Sequence, residues 1–380
     1  MKKILIICSL PNDTFIYNIS RWLKSKMDIT IDIVHYARNP EQTCSMEYYD
    51  DVHYLEFKKG LLRAPAFRHF PQSKALLEWL KGKHYDIIHC QAAIQASVLS
   101  TDLKKHCDKL CLTFWGGEME TMRIMYSNAL YKCYLKRFLK KVDLVMNSPI
   151  FNDRMTRSYP FLKGHTRPAY FGSVPLEKLF ELIKSESKGE SKSKLGIDDK
   201  KTTVLIGYSG KSIHNHLSII KELSQIVRLK ERLHLLAPMT RGGHASYIDE
   251  VSGALESSGY TYTLLRDQFL SDCAVARLRN ATDITLQLSD YDGFSRSIVE
   301  CMGAESILIY GNWLDYDQRL KEEGLAGIRI KGLKELGKTL TDILEHPQAY
   351  NEDCKKNSQN ISKNNLWEYC ISDWITAYSE

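Results

Sequence analysis

The stretch Ile284-Thr285-Leu286-Gln287-Leu288-Ser289-Asp290-Tyr291-Asp292-Gly293-Phe294-Ser295-Arg296-Ser297-Ile298-Val299-Glu300-Cys301-Met302 is the most informative part of this chain. Ile284–Leu288 has strand character, a polar turn holding Gly293 follows, and a helical pattern covers Ser295–Met302. Strand, glycine turn and helix in that order are half of a βαβ unit. The N–H groups that open such a helix lack partners within it. With the hydroxyls of Ser295 and Ser297 they form a ready seat for a diphosphate. Asp292 stands eight positions before Glu300, one carboxylate in the turn and one in the second turn of the helix. A structural alternative stays open, because Ser297-Ile298-Val299-Glu300 also fits a capping box in which Glu300 satisfies a helix-start amide.

The same alternation runs outward in both directions. In the second half, strands are expected at Thr203–Gly207, Leu233–Ala237, Tyr260–Leu265 and Ile307–Tyr310. Helices are expected at Leu217–Leu229, Tyr247–Ser257, Asp272–Arg279, Leu333–Leu344, Tyr350–Ile361 and Leu366–Tyr378. The first half repeats the pattern, with strands at Ile4–Cys8, Ile29–His35, Ile87–Cys90, Leu110–Phe114 and Leu144–Asn147. Its helices are expected at Phe15–Lys26, Gln72–Lys81, Ala92–His106, Met122–Lys141 and Phe151–Tyr159. Lys184–Lys201 mixes Ser, Gly and charge with almost no apolar residue, which predicts a linker or solvated loop. The fold class is therefore α/β, with doubly wound domains at 1–180 and 181–363 and a helix over 364–380 packing back on the first. Two such domains place a ligand at the carboxyl ends of their strands, in the crevice between them.

At 380 residues the chain suits two cores rather than one, and its 43% apolar and 26% charged content is ordinary for a folded protein. The opening apolar run is too short for a secretory signal or a membrane span and reads as a first buried strand. Ten cysteines form no CxxC pair, and several lie inside apolar runs, as reduced thiols in the cytoplasm would. No metal-ligand spacing is evident; His214 and His216 form only a weak pair. Residues 1–180 carry 27 Lys+Arg against 17 Asp+Glu, and residues 181–380 carry 25 against 29. The basic first half suits an anionic surface or acceptor, but no Lys/Arg run is dense enough for nucleic acid.

The Asp292–Glu300 stretch resembles the E-x7-E region of retaining family 4 glycosyltransferases, with Asp292 in place of the first glutamate. It is similar to a subgroup that builds bacterial surface polysaccharides, whose pattern continues into Tyr310-Gly311-Asn312-Trp313-Leu314-Asp315-Tyr316. Ile206-Gly207-Tyr208-Ser209-Gly210-Lys211, Asn215-His216, Pro238-Met239-Thr240, Asp267-Gln268-Phe269-Leu270 and Asp283 extend the likeness. The Ser-Gly and Asn-His steps also resemble inverting lipid-linked amino-sugar transferases.

The resemblance implies a GT-B fold, two Rossmann-like domains facing across a cleft, and transfer of a hexosyl or N-acetylhexosaminyl group from a nucleotide sugar. Asp292 would meet the sugar hydroxyls and Glu300 the ribose. Gly207, Tyr208, Ser209, Gly210, Lys211, His216, Arg241, Gln268, Gly293, Phe294, Ser295, Arg296 and Ser297 would complete the donor site, with Gln268 near the base. Tyr208 holds the place of the family's Arg, so Arg241 and Arg296 are candidate substitutes. Asp292, Lys211 and Glu118 are the catalytic candidates. Asn12, Trp115, Gly116, Gly117 and Glu118 would meet the acceptor; for these a core Trp and a surface Glu are the alternative. No metal or other cofactor is expected, since the Asp315-Tyr316-Asp317 D-x-D lies beyond the donor helix, and retention would follow the family.

Leu130–Lys141 is basic, aromatic and helical in period, and Leu61–Phe70 adds Arg63, Phe67 and Arg68. Such elements suit a membrane surface bearing an undecaprenyl-diphosphate-linked acceptor, though a helix packed on the sheet explains them too. The expected place is the cytoplasm, peripheral at the inner face of the plasma membrane. A sugar-nucleotide epimerase of the same architecture and a degenerate nucleotide- or partner-binding protein are the rival readings.

Overall fold

The computed structural model describes residues 1–8, 14–36, 47–56, 70–91, 95–100, 102–114, 129–266, 268 and 270–380. Contacts divide the chain into two units, Met1–Phe171 with Cys370–Glu380, and Gly172–Tyr369. Among the described residues each unit is built on one parallel sheet flanked by helices.

In the first unit the strands are β1 (Lys2–Cys8), β2 (Ile29–His35), β3 (Asp51–Tyr54), β4 (Tyr85–Gln91), β5 (Cys107–Thr113), β6 (Leu144–Asn147) and β7 (Thr166–Pro168). They lie in the order β3-β2-β1-β4-β5-β6-β7. Ile4 pairs with Ile31 on one side and Ile87 on the other, and Ile4–Cys8 are wholly buried. A parallel strand covered on both faces must read as an unbroken apolar run, and β1 does. The helices are α1 (Thr14–Lys26), α2 (Phe70–Trp79), α3 (Gln95–Leu99), α4 (Ala129–Leu139) and α5 (Pro149–Ser158). Where a helix is expected over Ala92–His106, the described residues form α3 and a short 3₁₀ turn, Leu103–His106, and residues 92–94 and 101 lie outside them.

The second unit opens with α6 (Val174–Leu182) and α7 (Lys188–Lys194). Its strands are β8 (Thr202–Ile206), β9 (Leu233–Pro238), β10 (Thr261–Leu265), β11 (Ile284–Gln287), β12 (Ile307–Gly311) and β13 (Ile328–Ile330). Their order is β10-β9-β8-β11-β12-β13. The remaining helices are α8 (His216–Ser224), α9 (Ala245–Ser258), α10 (Asp272–Asn280), α11 (Arg296–Gly303), α12 (Asp317–Glu323), α13 (Leu336–Glu345), α14 (Gln348–Asn364) and α15 (Trp367–Ser379).

Two expectations are corrected. Lys184–Lys201 is no linker: α7 is capped by Ser187, whose side chain and that of Glu190 form a reciprocal capping box. Glu186 ties the segment to α10 through Arg277 (2.9 Å) and accepts Lys194 (2.6 Å) and Ser191 (2.6 Å). Lys192 pairs with Asp283 at 2.6 Å. The unit boundary also falls before α6, at 171/172 rather than 180/181. Leu176 and Leu179 of α6 are wholly buried against Ile298, Val299 and Met302, so burial assigns α6 to the second core.

Cys370–Glu380 complete the first unit. Trp374 Nε1 donates to Tyr170 O (2.8 Å), Lys2 Nζ to Tyr378 O (2.7 Å) and Lys109 Nζ to Ala377 O (3.1 Å). The Tyr378 hydroxyl reaches His89 Nδ1, and His89 Nε2 bonds Thr113 Oγ1 at 2.8 Å. His89 is a fully partnered core residue, its pKa held down to about 3 by burial.

Candidate functional site

The chain leaves β8 toward β9 and β10, then returns to place β11 on the other side of β8. That reversal is a switch point, where loops diverge above the strand ends and leave room for a ligand. The loops after β8 and β11 meet there. Asn215 Nδ2 donates to Leu288 O and to Asp290 Oδ1, both at 2.9 Å, and Asp290 N donates to Ile213 O (2.9 Å).

The turn before α11 is held from three directions. Tyr208 O–H, from the β8 loop, donates to Asp292 Oδ1 at 2.6 Å. Tyr316 O–H, from the segment after β12, donates to Asp292 Oδ2, which also accepts Ser295 N at 2.9 Å. Burial raises both phenol pKa values, and the Asp292 charge adds to it, so both phenols stay protonated donors. Phe294 has φ +66°, a strained value for a residue with a Cβ, and is only 4% exposed. The Arg319 guanidinium lies 4.2 Å above its ring and donates to its carbonyl at 3.3 Å, and Tyr316 packs edge-on at 4.8 Å. Arg319 is itself paired with Glu323 at 2.7 Å. Tyr316 and Arg319 carry no local sequence signal for this role; only the fold brings them to the turn.

Both sequence readings of Glu300 are revised. The N-cap is Ser295, which puts Ser297 inside the helix and removes the capping box. Nor does Glu300 offer an open carboxylate. It is 5% exposed, Oε1 accepts Ser173 Oγ (2.6 Å) and Oε2 accepts Arg279 Nε (3.1 Å). Arg279 Nη2 continues to Ser297 Oγ at 2.9 Å. A serine oxygen that accepts such a bond keeps its O–H for another partner. Arg296 turns away from the turn, with Nη1 donating to Asn365 Oδ1 at 2.9 Å.

On the β8 side, Gly207 has φ +63°, and a Cβ there would come within 2.7 Å of the His216 ring. Gly210 N donates to Arg241 O (2.8 Å), and a Cβ on Gly243 would strike Gly210 O at 2.0 Å. The two loops thus touch backbone to backbone, which glycine alone permits. Lys211 and Arg241 are exposed at this contact. Beneath it Ser209 Oγ bonds His214 Nε2 (2.8 Å), and His216 Nδ1 bonds the Tyr247 hydroxyl (3.2 Å). Burial lowers the His214 pKa to about 4, aided by Lys211, and the His216 pKa to about 3, aided by His214, so both rings are neutral at pH 7. Among the described residues, His214 Nδ1 and His216 Nε2 have no partner.

The structure therefore gathers Gly207, Tyr208, Ser209, Gly210, Lys211, His216, Arg241, Asp292, Gly293, Phe294, Ser295 and Ser297 around one switch point. Gln268 is exposed beyond β10, toward one edge of the sheet. Asn12, Trp115, Gly116, Gly117 and Glu118 lie outside the described residues, as does most of Leu61–Phe70.

No protein-family model matches the sequence, and no curated protein matches it. Solved structures do match over the whole chain. Sucrose-phosphate synthase from Thermosynechococcus elongatus has TM-score 0.75 at 14% identity, covering 100% of this chain and 98% of that one. HepE from Anabaena, solved with UDP and glucose, has TM-score 0.68 at 17% identity, covering 99% of each chain. UDP-GlcNAc 2-epimerase from Neisseria meningitidis, bound to UDP-GlcNAc, has TM-score 0.65 at 12% identity, covering 99% of this chain and 100% of that one. At such identities the likeness shows the fold: this is a GT-B protein, built of two Rossmann-like doubly wound α/β units.

Proposed function

We propose that this chain is a glycosyltransferase that takes a sugar from a nucleoside-diphosphate donor seated at the carboxyl end of the second sheet. The acceptor is a glycan or an undecaprenyl-diphosphate-linked glycan of bacterial surface polysaccharide synthesis. One observation carries the reading: at the β8–β11 switch point, α11 starts beside a braced Gly-Phe turn, and Lys211 and Arg241 are exposed on the loops after β8 and β9.

Departure of a nucleoside diphosphate builds negative charge that fixed donors must meet. The N–H groups of α11 ahead of Ile298, the Ser297 O–H freed by Arg279, and the Lys211 and Arg241 cations supply them. Asp292 holds the turn by accepting Ser295 N and both phenols, and Glu300 acts through Arg279 on Ser297. The nucleobase extends toward Gln268. Retention, independence of a metal and a hexosyl or N-acetylhexosaminyl donor rest on the family 4 resemblance, as do the acceptor roles of Asn12, Trp115, Gly116, Gly117 and Glu118. Exposed Lys132, Lys136 and Arg137 on α4 support peripheral attachment to the cytoplasmic face of an anionic membrane. Among the described residues no helix is long and apolar enough to cross one.

The test is a panel of UDP-, GDP- and dTDP-sugars incubated with the protein, with and without crude lipid-linked acceptor. Acceptor-dependent release of nucleotide is the expected result. The likeness to the Neisseria epimerase favours a second reading, which predicts epimerised sugar formed without any acceptor.

A further inference from the structure

The donor reading assigns no role to two exposed aromatic residues on the loops after β11 and β12. Tyr291 is 46% exposed on the loop after β11, and Trp313 is 43% exposed on the loop after β12. Trp313 is the one exposed tryptophan among the described residues, and it is not mobile surface. Its Nε1 donates to Ser289 O at 2.7 Å, while Ser289 Oγ donates to Tyr291 O at 3.2 Å. The indole lies back over Gly311 so closely that any Cβ there would come within 2.3 Å of the ring. Its polar edge is satisfied and its orientation fixed before any ligand arrives, which leaves an apolar face in solvent with little ordering cost on binding.

From these contacts we infer that Trp313 is a stacking platform for the pyranose ring of the donor sugar. The inference rests on the proposed donor site and follows from strand order. The diphosphate sits at the start of α11, after β11, and the base extends past β8 and β9 toward Gln268 beyond β10. The sugar, bonded to the far phosphate, then falls on the other side of β11. The strand on that side is β12, about 5 Å away, and Trp313 is on its loop. The flat C–H face of a pyranose matches an indole face, whereas a phosphate does not.

Calorimetric titration of the full chain with UDP, UDP-glucose and UDP-N-acetylglucosamine tests this, with GDP and dTDP and their sugars as further arms. Trp313→Leu should weaken the preferred sugar nucleotide about tenfold and the bare nucleoside diphosphate by less than about twofold. Trp313→Phe, still aromatic but without the N–H, should recover part of the loss, and melting temperatures report on folding. Equal losses for both ligand types, no loss at all, or a loss confined to the KM for lipid-linked acceptor would each overturn the assignment. Failure of the wild-type chain to bind any of these nucleotides would remove the donor site itself, a result distinguishable from the others.

Discussion

His89 and the His214–His216 pair are all buried, yet their ring nitrogens are treated differently. In the first unit His89 has both ring nitrogens matched, by Tyr378 and Thr113. In the second, His214 and His216 are buried almost as deeply, yet each keeps one nitrogen without a partner among the described residues. Beneath the turn, Arg279 and Ser173 satisfy both oxygens of the buried Glu300 carboxylate, and Arg279 also reaches Ser297. A completed buried network holds a fold together. One with atoms to spare at a switch point has donors or acceptors that a ligand can use.

That contrast orders the expected effects of mutation. The largest belongs to Arg279→Met, which strands the Glu300 carboxylate in the core and should cost about 3–5 kcal/mol in urea unfolding. Glu300→Gln should likewise show first as lost stability. Normal stability with lost donor affinity would restore the ribose role for Glu300. Next, His89→Leu leaves the Tyr378 and Thr113 hydroxyls unmatched and should cost about 1–3 kcal/mol, with nucleotide affinity unchanged. Asp292→Asn removes the charge that draws both phenols and should weaken nucleotide-sugar binding at least about tenfold, or 1.4 kcal/mol, by calorimetry. His216→Phe has the smallest expected effect on folding, below about 1 kcal/mol because only one bond is lost, so any larger change should appear in donor affinity.

The pH dependence sharpens the same comparison. His89, His214 and His216 have folded pKa values of about 3, 4 and 3, below the usual 6.5. As pH falls below about 6.5 the unfolded chain binds these protons first, so stability declines until the native rings protonate near pH 4–3. Each such histidine contributes a slope of about 1.4 kcal/mol per pH unit within that window. His89→Leu should flatten the decline by one proton's worth in melts taken between pH 7 and 4. Glu186 adds a separate loss at lower pH. The Arg277 guanidinium, then Lys194 and Ser191, hold its pKa at about 2 against burial, so its stabilisation is full above about 4.5 and fades toward 2.

The central strands were legible because burial on both faces leaves an uninterrupted apolar run, as in Ile4–Cys8 and Leu235–Ala237. Edge strands β3, β7 and β13 were not, being three or four residues long with Asp51, Arg167 and Arg329 among them. Ser187-x-x-Glu190 has the spacing of a capping box, but the charged, serine-rich composition around it reads as a solvated loop. At the site, sequence spacing picked out the Asp292 turn and the start of α11. It could not disclose that Glu300 faces inward, since its partner Arg279 lies on another helix and Ser173 precedes the unit's first helix. Tyr316 and Arg319 reach the turn only through the β12 crossover, which no local pattern encodes.

The use of Cys370–Glu380 in the first unit bears on synthesis. A ribosome delivers the second sheet complete while the first still lacks Trp374 against Tyr170 and Tyr378 against His89. The first unit stays unfinished until the α15 residues that complete it have been made. A premature stop or a bulky insertion near residue 370 would therefore injure the first unit rather than the second.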